Sequence, residues 1–148
     1  MPKNNIIESP FKPRARMLLQ LGDQLIKNES IALVELVKNA YDADASKVTI
    51  VMSDIHDVKT GEIIIRDDGW GMDLDTILNC WLEPGSDSKS QIVAKGKRSP
   101  KGRLPIGEKG IGRFGVHKLG HEIELVTKKA TGKEYVVRID WNQFSHSK

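Results

Sequence analysis

Glu35, Asn39 and Asp42 recur at i, i+4 and i+7, so on a helix their side chains stack along one line. They sit in ESIALVELVKNAYDA, an otherwise apolar segment. An asparagine there offers a neutral oxygen to a hard cation such as magnesium, which keeps several waters and takes other ligands from phosphate. A glutamate one turn away can take the proton of a water that attacks phosphate. A polar stripe facing solvent would give the same spacing.

Two further segments carry possible chemistry. In IIIRDDGWGM a strand-like run ends in Asp67, with Gly69 and Gly71 two and four residues later. Glycine lets a backbone approach a flat ligand closely and tolerates positive φ, and an aspartate at the pocket floor can accept a hydrogen bond from an exocyclic amine. Asp-Gly is also an ordinary turn pair. The third segment, Gly107-Glu108-Lys109-Gly110-Ile111-Gly112-Arg113-Phe114-Gly115, leads into a helical pattern whose backbone N–H groups suit an anion. It lacks the Gly-Lys-Ser/Thr ending of a P-loop and does not open a βαβ dinucleotide unit.

The elements that must position these segments follow from periodicity. Residues 14–28 read as a helix and 29–43 as a second, with Asn28 or Ser30 as its cap. Leu33, Leu36, Val37 and Ala40 form the expected packing stripe on the second. Strands are expected at 46–52 and 61–67 as a hairpin, a short helix at 73–82, and strands at 121–129 and 133–141 around a turn at 130–132. The order predicts an α+β fold: a two-layer sandwich with helices on one face of a mixed, mostly antiparallel sheet. The polar stretch after Trp141 suggests a sheet that lacks its last strands.

At 148 residues, 39% hydrophobic and 29% charged, the chain reads as one soluble domain, 1–148, the N-terminal part of a longer protein. No apolar run approaches the roughly 18 residues of a membrane span, and the basic N-terminus lacks the apolar core of a secretory signal. Cys80 is the single cysteine, which excludes an internal disulfide and points to the cytoplasm. The net charge of +3 does not by itself argue for nucleic acid. Seven basic residues nevertheless lie between Lys89 and Lys109, with Glu108 the one acid among them. That stretch, unpatterned over residues 84–106, is either a solvated loop or a segment that faces an anion.

Taken in order, the three motifs resemble the GHKL superfamily, named for gyrase, the ninety-kilodalton heat-shock chaperones, histidine kinases and MutL. ELVKNAYDADA is similar to its N-box, DDGWGM to its D-x-G-x-G box and GEKGIG to its G-x-x-G-x-G box. The resemblance covers about residues 30–140 and implies a Bergerat-type fold that binds ATP with Mg2+ under a flexible lid at 84–106. It implies Glu35 as general base, Asn39 as magnesium ligand and Asp67 as the adenine-binding acid. Asp42 would support the site, Gly69, Gly71 and Met72 would line the adenine end, and Gly110, Ile111 and Gly112 would offer backbone donors to phosphate. Lys109 and Arg113 are the basic neighbours of that run, and Ser86 and Lys89 would be lid residues. The family's adenine-side threonine has no evident counterpart after Trp141.

Histidine kinases share these boxes but phosphorylate a histidine on a preceding helical domain, and here no histidine precedes His56. Glu35 before Asn39, with DADA after it, resembles the hydrolysing branch, closest to MutL and the microrchidia-like ATPases. The implied role is slow ATP hydrolysis that drives a conformational or dimerisation cycle, with a nucleotide-dependent homodimer in the full-length protein. Alternatives are a histidine-kinase-type ATP-binding domain, a nucleotide-binding or interaction module without turnover, and a nucleic-acid binder built on the basic stretch. His117 and His121 lie four apart without a third zinc ligand. Trp70 and Trp81 are expected beside the pocket, and Cys80 as a small core residue.

Overall fold

The computed structural model describes residues 17, 20, 22–24, 26–82, 96–107 and 112–145. Its elements are α1 (Glu29–Asp42), β1 (Val48–Ser53), β2 (Glu62–Asp67), α2 (Leu74–Thr76) continued by a π-helical stretch (Ile77–Trp81), a 3-10 helix (Gly112–Lys118), β3 (Glu122–Lys128), β4 (Glu134–Asp140) and α3 (Asn142–Ser145). Residues 17, 20 and 22–24 are also helical, within the first expected helix.

Asn28 starts α1: its Oδ1 accepts the Ile31 N–H at 3.0 Å, satisfying one of the donors a helix leaves unpaired. The residues buried on α1 are Ala32 and Ala40. Of the expected stripe Ala40 is thus buried, Leu33 and Leu36 are half-buried and Val37 is exposed, with Ala32 joining the buried face. The 3-10 helix packs against α1, and Gly115 shows how close the chain comes on this side. A methyl group there would stand 2.4 Å from Cγ1 of Ile26. Small residues win this face because bulky ones would hold the elements apart.

The expected α+β architecture is present, with every described strand pair antiparallel. The strands form two two-stranded sheets, β1–β2 and β3–β4, where the sequence suggested one mixed sheet. In the first, Val48 opposes Asp67, Ile50 opposes Ile65 and Met52 opposes Ile63. In the second, Ile123, Leu125 and Thr127 alternate inward along β3, as period-two packing requires.

What joins the two hairpins is the stretch after β2 rather than a backbone ladder. Met72 donates its N–H to Thr127 Oγ1 at 2.9 Å, and Lys129 Nζ lies 2.6 Å from Asp73 Oδ2. Asp73 also caps α2, accepting from the Thr76 N–H at 2.8 Å and the Thr76 hydroxyl at 2.7 Å. On the far side, Asp23 pairs with His117 and Lys118, each at 3.0 Å. Lys118 first, then His117, holds that carboxyl below its ordinary range. No helix among the described residues is long and apolar enough to cross a membrane.

The Asp73 carboxyl is held well below the usual carboxylate range, first by Lys129 and then by Thr76. A depressed folded-state value stabilises the fold above the unfolded carboxylate value of about 3.9 and is lost as pH falls through the folded value. Asp73→Asn keeps a good cap but removes the charge. The unfolding-temperature difference between wild type and this variant should be constant from about pH 7 to 5 and shrink below about pH 4. A difference that persists unchanged to about pH 2 would refute the linkage.

Candidate functional site at the end of the first long helix

Glu35, Lys38, Asn39 and Asp42 are the half-buried polar residues of α1, whereas Val34, Val37 and Tyr41 are exposed. The polar line is therefore no solvent face. Glu35 Oε1 lies 2.8 Å from Lys38 Nζ, an i,i+3 pair that keeps a cation beside the expected base. The side-chain oxygen of Asn39 is a neutral, hard donor of the kind magnesium accepts beside water and phosphate. Among the described residues no cluster of three or more His, Cys, Asp or Glu could hold a metal by itself. His117 engages Asp23 and meets the Trp141 ring edge-on at 6.1 Å, and His121 is exposed.

Asp67 ends β2, and its Oδ1 accepts the Gly69 N–H at 2.9 Å. The adjacent Asp68 does different work. Its Oδ1 accepts from the backbone of Ser46 at 2.6 Å and Lys47 at 2.9 Å, tying the chain after α1 to the end of β2. These backbone bonds, Lys47's foremost, hold its carboxyl below the ordinary range. Trp70 N–H donates to Ala43 O at 3.0 Å, so the aspartate-glycine turn docks directly on the end of α1. Trp70 itself is exposed and Trp81 half-buried, as is Cys80.

Both glycines of this turn are required by the protein's own packing. A methyl group at Gly69 would lie 2.8 Å from Ala43 Cβ and Ala43 O. Gly71 has φ +70°, and a methyl group there would stand 2.1 Å from the carbonyl oxygen of Lys128. The sequence had suggested close approach to a ligand; the nearest approach is to β3. Met72 follows and is held by Thr127, a buried residue that sequence reading missed. Its inward position on the alternating strand Ile123-Leu125-Thr127 was the available signal.

The basic stretch returns to the same helix end. Asp42 accepts from the Ile106 N–H through Oδ1 at 2.8 Å and from the Gly107 N–H through Oδ2 at 3.2 Å. Asp44, buried and at φ +59°, accepts from Ser99 Oγ at 2.5 Å and from Lys101 N–H at 3.2 Å. Lys101 Nζ reaches Asp44 O at 2.6 Å. Arg103 Nη1 donates to Ala45 O at 2.8 Å, and its guanidinium lies 4.5 Å from the Tyr41 ring centroid. A non-glycine residue at positive φ costs about 1–2 kcal/mol, offset here by the three bonds that Ser99 and Lys101 donate to Asp44. Of the expected phosphate run, Gly112 and Arg113 belong to the 3-10 helix, and Lys109, Gly110 and Ile111 lie outside the described residues. So do Ser86, Lys89 and the rest of 84–95.

Gly71→Ala should lower stability by at least about 2 kcal/mol in urea unfolding, more than Gly102→Ala. Gly102 shares a positive φ of +78° but has open space around it, so the difference isolates the collision with β3. Equal losses would remove the packing argument. Thr127→Val, which leaves the Met72 N–H without its acceptor, should cost about 1–3 kcal/mol in the same assay.

Residues 27–148 match the family model described as histidine kinase-, DNA gyrase B-, and HSP90-like ATPase. The chain is 29% identical over 112 residues to the putative type II restriction enzyme HgiDII of Herpetosiphon aurantiacus, covering 76% of this chain and 17% of that protein. It is 28% identical over 139 residues to the mitochondrial TNF receptor-associated protein 1 homolog of Dictyostelium discoideum, covering 82% and 19%. With ATPase morc-1 of Caenorhabditis elegans it shares 38% identity over 99 residues, covering 66% and 10%. It thus spans a fifth or less of the length of these curated relatives. The helix with its polar line, the aspartate-glycine turn docked on its end and the match over nearly the whole chain agree: the protein belongs to the histidine kinase-, DNA gyrase B- and HSP90-like ATPase family and carries that family's ATP-binding domain.

Proposed function

We propose that this domain binds Mg-ATP and hydrolyses it slowly, and that the cycle drives a conformational or dimerisation change in a longer cytoplasmic protein. The observation that carries the reading is the docking of the Asp67–Met72 turn on the end of α1, with Trp70 N–H on Ala43 O at 3.0 Å. That contact supports the reading that Asp67 and the Glu35–Asn39 line serve one site.

Each residue then has a task. Asp67, with Oδ1 committed to Gly69, accepts the adenine amine through Oδ2, while Gly71 and Met72 line that end. Asn39 holds magnesium, which when bound neutralises charge on the phosphates. Glu35 takes a proton from the water whose oxygen attacks the γ-phosphorus, and the bond to the β-phosphate oxygen breaks to give ADP and phosphate. Lys38, 2.8 Å from Glu35, competes for the base and favours slow turnover. Gly110, Ile111 and Gly112 supply backbone donors to phosphate, with Lys109 and Arg113 adding charge. Residues 84–106 cover the nucleotide as a lid rooted where Ser99, Lys101 and Arg103 grip the end of α1. A nucleotide-dependent homodimer is the expected partner state, and salt-sensitive DNA affinity would add nucleic acid to the partners.

Calorimetric titration with Mg-ATP tests this. Asp67→Asn should abolish binding, whereas Glu35→Ala should bind ATP within a few-fold of wild type and lose about 100-fold or more of its hydrolysis rate. Loss of binding in both variants alike would contradict the division of roles.

A further inference from the structure

We propose that Asp42 is a positioning residue that never touches the nucleotide but sets where the phosphate-binding glycine run begins. The proposal rests on the nucleotide reading above and specifies how the end of α1 serves it. Both carboxylate oxygens of Asp42 are engaged by consecutive backbone amides, Ile106 N–H at 2.8 Å and Gly107 N–H at 3.2 Å. Gly107 is buried and is the first glycine of the G-x-x-G-x-G run. One side chain on the magnesium-binding helix thus fixes the entry to the segment expected to hold the phosphates.

The strap before Gly107 supports the same geometry. Ser99 N–H bonds to Arg103 O and Gly102 N–H to Ser99 O, each at 2.8 Å, so residues 99–103 form a closed turn. That turn is gripped by Asp44 and by the carbonyls of Asp44 and Ala45. The two aspartates therefore hold one continuous strap at both ends, and the distance from Asn39 to the start of the glycine run is fixed by covalent geometry and charge-assisted bonds. Two amides converging on one carboxylate need an acceptor at both oxygens. Asparagine offers one acceptor and turns a donor toward the other amide.

The test uses the whole chain, with Asp42→Ala and the isosteric Asp42→Asn. Affinities for ATP, ADP and adenosine are measured calorimetrically with magnesium, and amide hydrogen exchange is read at Ile106 and Gly107. Exchange at these two amides should quicken by about tenfold or more, and ATP affinity should fall about tenfold. Adenosine affinity should stay within about twofold, because the adenine end is untouched. The collapse of the ATP-over-adenosine preference marks positioning of the phosphate site, which general destabilisation would not produce. An unchanged preference, or equal loss of ATP and adenosine, overturns the proposal. Wild type that binds neither ligand fails the nucleotide reading itself, and with it this assignment. Should Asp42→Ala fail to fold, Asp42→Asn decides alone.

Discussion

An α-helix leaves its last carbonyls without partners and carries partial negative charge at that end. Helix α1 makes this worse, because Asp42 and Asp44 stand at its C-terminal end and no basic residue occupies the last turn. Several contacts from distant segments answer this surplus. Arg103 and Lys101 bring cations to the terminal carbonyls, and Ile106 and Gly107 bring amides to Asp42. Trp70 brings its N–H to Ala43 O. Trp70 of the second motif and Gly107 of the third reach this helix end because it needs donors that only distant segments supply.

This arrangement gives the motif residues unequal tasks. Of the paired aspartates after β2, Asp67 caps its own turn while Asp68 binds the chain leaving α1. Gly69 and Gly71 are demanded by Ala43 and by the Lys128 carbonyl, so they secure the turn against its neighbours before any ligand is considered. The basic stretch is likewise divided. Lys101 and Arg103 serve the Asp44 carboxylate and the carbonyls at and just after the end of α1.

Much of the local structure was legible. Helix α1 begins after Asn28, one of two expected caps, and ends within a residue of the expected position. All four strands lie inside their expected ranges to within a residue, because alternation and turn residues are local signals. The polar line Glu35-Asn39-Asp42 could be placed on one helix, and Asp67 at a strand end, by spacing alone. Spacing could not tell which stripe of α1 is buried. Ala40 is buried as expected, but Ala32 won over Val37 because the neighbouring elements pack closely there, and closeness is not written in a single segment.

The sequence by itself determined which elements form, which motifs they carry and which family those motifs resemble, since each depends on residues near one another along the chain. Only the tertiary structure decided that Asp42 holds Ile106 and Gly107, that Asp44 grips a strap 55 residues away through Ser99, and that Thr127 on β3 holds Met72. Nor could the sequence reveal that the described strands divide into two hairpins joined through side chains. These contacts join segments far apart in sequence. Their partners are chosen by which donors and acceptors would otherwise be buried unpaired, a condition that exists only once the chain has folded.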